Sequence, residues 1–231
     1  MGDIDATLHP TSAAHPAGVR QDLKHHFDDA AQQMESSTLG MWVFLVTEIM
    51  FFGGMFGGYT VYRNMYPEAF ASTSHFMNVT IGAINTGVLI CSSFTMVLAV
   101  RAAQLGQKKA IIAFLILTLI LGCVFLGLKG VEYHEKWVEH HIPGPGFQYA
   151  DARYFHQAQI LFFLYFAMTG MHAMHMIVGA GLLTALIVMA ARNRFSEHWY
   201  TPVEMIGLYW HFVDIVWIFL FPLLYLIGHT S

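Results

Sequence analysis

Five long, unbroken apolar runs dominate the pattern of hydrophobic and polar positions along the 231-residue chain. Each run is long enough for the ~20-residue helix that crosses a lipid bilayer. A membrane β-barrel would instead show segments of ~10 residues with alternating polarity, and these runs do not alternate. The pattern predicts an all-α, polytopic membrane bundle with five transmembrane helices, at residues 39–62, 77–100, 110–128, 160–191 and 203–227.

The polar segments between and before these runs predict the organisation of the chain. Residues 1–36 are polar and contain no apolar stretch of the kind found in a signal peptide. We expect a polar, cytoplasmic N-terminal tail at 1–36 and a five-helix transmembrane domain at 37–231. The longest connection is predicted at 129–159, and the others are short.

The distribution of basic residues predicts the orientation. The tail and the second and fourth connections hold seven Lys and Arg residues, whereas the opposite side holds four. Positively charged loops stay preferentially in the cytoplasm. The N-terminus is therefore predicted in the cytoplasm and the C-terminus outside.

Composition narrows the classes of function. Hydrophobic residues make up 56% and charged residues 11% of the chain, and the mean hydropathy is +0.51. A net charge of −4 argues against binding to nucleic acid. Both cysteines lie in apolar runs, so neither a disulfide framework nor a CxxC metal site is predicted. The 14 histidines outnumber the 11 Lys and Arg residues together, and this excess needs an explanation.

Glu48 lies about 14 Å into the first predicted span, near the bilayer midplane. Ionisable groups at that depth are costly and are candidates for function. Glu48 either exchanges protons or faces lipid, or it is held between helices by a hydrogen bond. Further along the same run, Gly53 and Gly57 form a GxxxG pair, which permits the close approach of another helix and predicts a packed face.

The fourth run holds His172 and His175, which share one helix face at i and i+3. A metal site is conceivable there, but membrane di-iron enzymes need several histidine clusters and this is a single one. Hydrogen bonding between helices is the favoured interpretation of both histidines.

The fifth run contains a stripe formed by Trp210, Asp214 and Trp217, with His211 beside it. An aspartate at midplane must face protein or water. His211 and Asp214 could relay protons, but a structural pair with Glu48 or with the histidines of the fourth run is favoured.

Taken together, these segments resemble subunit III of the haem–copper oxidases, the family of the cytochrome c and quinol oxidase complexes. The resemblance covers about residues 38–228, with all five spans in order. The segments that carry it are TLGMWVFLVTEIMFF, INTGVLICSSFTMVLA, LGCVFLGLKGVEYHEKW, TGMHAMHMIVG and YWHFVDIVWIFLF.

The resemblance implies a non-catalytic subunit of a proton-translocating terminal oxidase in a bacterial plasma membrane. Such a subunit binds no haem or copper itself and packs against subunit I, in a complex with subunit II and smaller subunits. It binds phospholipid and supports proton uptake and sustained turnover, with cytochrome c or quinol as the indirect electron donor. Full-length members have seven helices, so a five-helix chain is expected to meet lipid between the helix of Glu48 and a neighbouring subunit.

The resemblance also implies roles for particular residues, none of them catalytic or metal-binding. An internal polar network is expected from Glu48, Glu132, His172, His175, His211 and Asp214. A packing signature is expected from Trp42, Gly53, Gly57, Trp210 and Trp217.

Other functions remain open at this stage. A membrane anchor that holds haem b between two histidines, for example His172 and His211, is the alternative from a different class. A relative that serves a quinol oxidase or a nitric oxide reductase is the alternative within the family, although the acidic outer loop favours the cytochrome c oxidase members. A transporter is suggested only by Glu48 and Asp214.

Overall fold

A computed structural model of the protein describes residues 30–74, 78–144, 146–149, 152–195 and 199–226. Within these ranges the chain is all-α, with a 3-10 turn at Ala152–Tyr154 before the fifth helix. The α-helices are α1 (Ala30–Met65), α2 (Pro67–Ser74), α3 (Val79–Gln104), α4 (Lys108–Val138), α5 (Phe155–Ala191) and α6 (Thr201–Tyr225).

The prediction of five membrane-spanning helices is confirmed. All of the described helices except α2 are long and apolar enough to cross a bilayer. The short helix α2 lies in the connection between the first two spans, and it begins at Pro67, whose fixed φ suits the first position of a helix. α2 packs against α5. The orientation in the membrane stays a prediction.

The first helix is longer than the apolar run that predicted it. α1 begins at Ala30, so residues 30–36 of the predicted tail are helical. The remainder of the tail, residues 1–29, lies outside the described residues.

The fourth helix differs from the prediction at its C-terminal end. Residues 129–138 were expected in a loop, and this expectation is wrong, because α4 continues to Val138. Lys129, Glu132 and Lys136 recur at i, i+3 and i+7, so they share one helix face, and all three are buried. Their charges are paired within the protein, and the helix therefore continues past the end of the apolar run.

Helices α3, α4, α5 and α6 form the packed part of the bundle, with α6 in contact with both α3 and α5. Trp210 of α6 fills the space between α4 and α5. A Cβ atom at Gly122 or at Gly179 would lie 2.8 or 2.9 Å from its indole ring. Glycine at these two positions is what lets the three helices close around the ring.

Helix α1 lies at the edge of the bundle and contacts α5 and α6. Its buried side chains, Leu45, Phe52 and Tyr59, recur every seven residues and form one narrow stripe. The glycines Gly53 and Gly57 are exposed, and a Cβ at either would meet no atom within 4 Å. Among the described residues no helix packs against this GxxxG face, so the close approach expected from the motif is not made within the described part of the chain.

Candidate functional site

Glu48 and His175 form a hydrogen-bonded pair between α1 and α5. Oε2 of Glu48 lies 3.1 Å from Nε2 of His175, and Nδ1 of His175 lies 2.9 Å from the backbone oxygen of Met171. A carbonyl oxygen only accepts hydrogen bonds, so Nδ1 of His175 carries a hydrogen atom and donates a hydrogen bond to the backbone oxygen of Met171. The contact to Glu48 therefore needs a second proton, which belongs either to the carboxyl group or to an imidazolium ring.

This pair lies at the surface of the bundle. Both side chains are mostly but not fully buried, and they line an apolar groove of about 290 Å³ between α1 and α5, with Phe44 and Val178 among its walls. The expectation that Glu48 is hydrogen-bonded between helices describes this geometry. The hydrogen bond between Glu48 and His175 therefore lies close to the outer surface of the helix bundle.

Glu132 lies at the centre of a second polar cluster, which joins α4, α5 and α6. Its Oε2 accepts a hydrogen bond from Nζ of Lys129 at 2.8 Å. Its Oε1 accepts from the hydroxyls of Tyr165 at 2.8 Å and Tyr225 at 2.5 Å. Lys129 also donates to Tyr225 at 2.7 Å and lies 4.7 Å from the ring centre of Trp217. Every charge in this buried cluster therefore has a compensating partner.

His172 belongs to neither of these clusters. Its ring lies between Phe125 and Trp217, with centroid distances of 5.4 and 5.2 Å. Neither ring nitrogen has a hydrogen-bond partner among the described residues. The expectation of hydrogen bonding between helices therefore describes His175 and is not met by His172. The part of the chain that the structure describes also holds no group of three His, Cys, Asp or Glu side chains arranged to bind a metal ion.

His211 and Asp214 are neighbours on α6 but are not hydrogen-bonded to each other. Nδ1 of His211 lies 2.7 Å from the hydroxyl of Ser93 on α3. Asp214 is buried, and neither of its carboxylate oxygens has a hydrogen-bond partner among the described residues. The favoured pairing with Glu48 or with the histidines of α5 is therefore not formed. Glu48 and His175 pair with each other, while α6 presents His211 to α3.

The residues of the predicted polar network thus separate into distinct places. Glu48 and His175 are together, and His211 and Asp214 lie near Ser93 between α3 and α6. Glu132 and His172 each have different surroundings.

The predicted packing residues also divide into two groups. Trp210 and Trp217 are fully buried, and their indole nitrogens donate to hydroxyls of α3, at 3.0 Å to Ser92 and 3.1 Å to Thr86. Trp42, in contrast, is 55% exposed on α1. It lines an apolar groove of about 470 Å³ between α1 and α6.

Several residues of the polar clusters were not identified from the sequence. Lys129 could have been, because it lies three residues before Glu132 at the end of an apolar run, and this spacing places both on one helix face. Tyr165 and Tyr225 carry no such local signal, since they lie far from Glu132 along the chain.

One charged group lies just beyond the membrane-spanning helices. Glu139 accepts hydrogen bonds from Lys136 at 2.7 Å and pairs with His141 at 3.0 Å. Partial burial acts to raise the pKa of Glu139, but these two partners outweigh it and hold the pKa below its ordinary value. His141 stacks on Phe162 at 5.0 Å, so the contact ties the start of the connection between α4 and α5 to α5.

Comparison with known proteins agrees with the fold and with these motifs. The sequence model of the family described as cytochrome c oxidase subunit III matches residues 23–229. The chain is 29% identical over 201 residues to cytochrome c oxidase subunit 3 of Thermostichus vulcanus, covering 87% of this chain and 92% of that protein. It is 30% identical over 210 residues to cytochrome bo(3) ubiquinol oxidase subunit 3 of Pseudomonas aeruginosa, covering 90% and 92%.

A third relative has a similar coverage. The chain is 31% identical over 192 residues to cytochrome c oxidase subunit 3 of Corynebacterium diphtheriae, covering 82% of this chain and 87% of that protein. Together with the five membrane-spanning helices and the match over residues 23–229, these likenesses show that the chain belongs to the cytochrome c oxidase subunit III family.

Proposed function

We propose that this chain is a non-catalytic subunit of a respiratory haem–copper terminal oxidase in the bacterial plasma membrane. It stabilises the subunit that carries the haem and copper, and it supports the supply of protons to that subunit. Relatives named as subunit 3 of both cytochrome c and ubiquinol oxidases support the assignment to an oxidase complex.

The proposal rests mainly on one observation: polar side chains inside the bundle form hydrogen bonds between helices. The Lys129–Glu132 pair is enclosed by Tyr165 and Tyr225, and the indole nitrogens of Trp210 and Trp217 bind hydroxyls of α3. The contacts to the two tyrosines and the two tryptophans each join one helix to another. Polar contacts of this kind suit a scaffold, because they hold neighbouring helices together.

The haem-anchor alternative fits this interior less well. If His172 and His211 both held the iron of one haem, the porphyrin would have to lie between their two imidazole rings. Phe125 and Trp217 pack against the ring of His172, while His211 is held by Ser93 of α3. Binding a haem there would require displacing aromatic residues from the core of the bundle.

The Glu48–His175 pair supports the proposed part in proton supply. The hydrogen bond from His175 to Met171 orients the imidazole ring so that Nε2 faces Glu48, and histidine beside a carboxyl group is an arrangement that proton-transfer routes use. The apolar grooves on either side of α1, of about 290 and 470 Å³, are of a kind that phospholipid acyl chains fill. We propose that lipid, the haem-bearing subunit I or subunit II covers these grooves in the complex.

Purification of the complex in a mild detergent tests the proposal. A tag on this chain should recover a haem-bearing subunit with the visible spectrum of an oxidase. After the subunits are separated, this chain should show no Soret band. A chain that purifies alone from a membrane containing the oxidase, or that retains haem after separation, would contradict the proposal.

A further inference from the structure

A groove of about 410 Å³ runs along the outer surface between α3 and α6, on a face that α1 does not cover. Its polar base contains Ser93 and Asp214. Its rims follow the two helices, and the residues of each rim recur at i, i+4 and i+7. These residues are Ile90, Phe94 and Val97 on α3, and His211, Ile215 and Ile218 on α6.

Asp214 lies buried at the base of this groove, and its carboxylate is short of hydrogen-bond donors among the described residues. It is only 3% exposed, and neither carboxylate oxygen has a partner among the described residues. The hydroxyl of Ser93 faces Asp214 and lies 2.7 Å from Nδ1 of His211. A hydroxyl donates only one hydrogen bond, so Ser93 can serve at most one of the two carboxylate oxygens. A buried polar atom that stays unpaired is strongly destabilising, and a donor from outside the described residues is therefore expected at the other oxygen.

The depth of the groove restricts where that donor comes from. Asp214 lies about 20 Å from the start of α6 and about 17 Å from its end, which places it near the bilayer midplane. Ser93 lies in the middle of α3 in the same way. At this depth the bilayer contains acyl chains, which carry no hydrogen-bond donor, and little water. A side chain of a neighbouring membrane helix does supply one.

The shape of the groove agrees with a helix as its occupant. Rows spaced i, i+4 and i+7 form straight ridges along a helix, and two such ridges accept the side chains of a third helix between them. The rim residues of α3 are exposed, as are Ile215 and Ile218 of α6. A buried acid that lacks a donor at the base, and rims that are apolar except for His211, are complementary to a helix that carries one donor on an apolar face.

We propose that this α3–α6 groove is the docking site for a transmembrane helix of another oxidase subunit, which presents a hydrogen-bond donor side chain to Asp214. This inference rests on the proposed function, because it names the face of the chain that meets the rest of the complex.

Photo-crosslinking in native membranes tests the identity of the occupant. A benzophenone amino acid replaces Phe94 at the rim of the groove, and in a matched control it replaces Ile120, which is exposed on α4. The expected result is a covalent product of the Phe94 variant with another oxidase subunit, at several times the yield given by the Ile120 variant. Products with lipid or quinone alone at Phe94 would overturn the inference.

Filling the groove gives a second, independent readout. Ile218→Trp places an indole in the α3–α6 groove, and Ile218 does not line the groove between α1 and α6. In the control, Val124→Trp places an indole on the exposed face of α4. Ile218→Trp should lower the amount of haem protein recovered per tagged chain by about tenfold, as expected for loss of a buried polar contact. Val124→Trp should change it by less than about twofold. The level of each variant in the membrane shows whether the chain itself has folded.

The outcomes separate the inference from the proposed function. If the unaltered chain recovers no haem protein, the proposed function fails. If it does recover haem protein, and Ile218→Trp recovers as much as Val124→Trp, only the docking site fails. Asp214→Ala should reduce recovery as Ile218→Trp does, while Asp214→Asn, which keeps one acceptor oxygen, should reduce it less.

Discussion

Helices α1 and α6 are both membrane spans, yet their surroundings in the protein differ greatly. Half of the most apolar part of α6 is buried inside the protein, compared with 11% of the corresponding part of α1. α6 makes hydrogen bonds to α3, α4 and α5, whereas α1 is attached by one apolar stripe and by the Glu48–His175 contact. The comparison suggests a self-contained unit, α3–α6, and a peripheral helix that leaves most of its surface for lipid or for other subunits.

The largest expected effect comes from breaking the polar cluster around Glu132, which joins α4, α5 and α6. Glu132→Ala leaves the Lys129 charge buried without a partner, which costs roughly 3–5 kcal/mol. We expect most of the chain to be lost from the membrane, as measured by immunoblot and by the temperature of unfolding of what remains.

The matched control for this change is the double variant Lys129→Met with Glu132→Leu. Replacing a buried ion pair by apolar residues of similar size is often neutral. The hydroxyls of Tyr165 and Tyr225 lie 3.3 Å apart and can bind each other when Glu132 is replaced. The double variant should therefore be recovered at a clearly higher level than Glu132→Ala. If the double variant is as depleted as Glu132→Ala, the charge balance of the cluster is not what matters.

The next effect concerns the packing of Trp210 within the same unit. Gly122→Ala adds a Cβ atom 2.8 Å from the indole ring, and overpacking of this kind costs about 1–3 kcal/mol. Gly127→Ala on the same helix adds a Cβ where no atom lies within 4 Å, so it should be neutral or stabilising through its higher helix propensity. Thermal unfolding of the two variants in detergent checks this, and equal shifts for both would contradict the packing described here.

Changing the contact that attaches α1 should affect folding less than the two changes above, and should act mainly on the activity of the complex. Glu48→Ala removes one contact between helices and leaves α3–α6 unchanged, so assembly should be largely intact. The rate of proton uptake by the complex should fall. Oxygen consumption per haem should also decline faster during turnover than it does in the unaltered complex. Loss of assembly with unchanged activity per assembled complex would show that Glu48 is purely structural.

The smallest effect is expected outside the membrane, at Glu139. Because the pKa of Glu139 is lowered in the folded protein, its contribution to stability is full above the ordinary carboxyl pKa of about 4.3 and disappears as the pH falls through the lowered pKa. Its side chain is 46% exposed, so solvent screening limits the contribution to less than about 1 kcal/mol. The unfolding temperatures of the protein and of Glu139→Gln should therefore differ slightly at pH 7 and converge in acid. A difference that grows in acid would contradict this sign.

The five spans could be predicted because length and continuity of apolar residues alone decide whether a helix crosses a bilayer. The end of α4 could not be predicted in this way. A hydropathy pattern registers Lys129 and Glu132 as two charges, whereas in the structure they form one compensated pair on a buried helix face. The partners Tyr165 and Tyr225 come from other helices, and no local pattern marks them.

The same limit explains the outcomes at Gly53 and Asp214. A GxxxG motif shows that one face of a helix carries small residues. Whether another helix packs on that face depends on the neighbouring helices. The i, i+3 spacing of His211 and Asp214 is compatible with a contact, yet the side chain of His211 is directed to Ser93. Sequence spacing identifies the polar groups, and only the packing of helices decides which of them meet.

Native mass spectrometry of the complex, purified through a tag on this chain, tests directly whether the chain is a haem-free subunit of an oxidase. We expect one assembly that contains this chain with a haem-bearing subunit, and release of this chain without haem when the assembly is dissociated. Release of the chain with haem attached, or the absence of any assembly under conditions that keep the oxidase active, would contradict it.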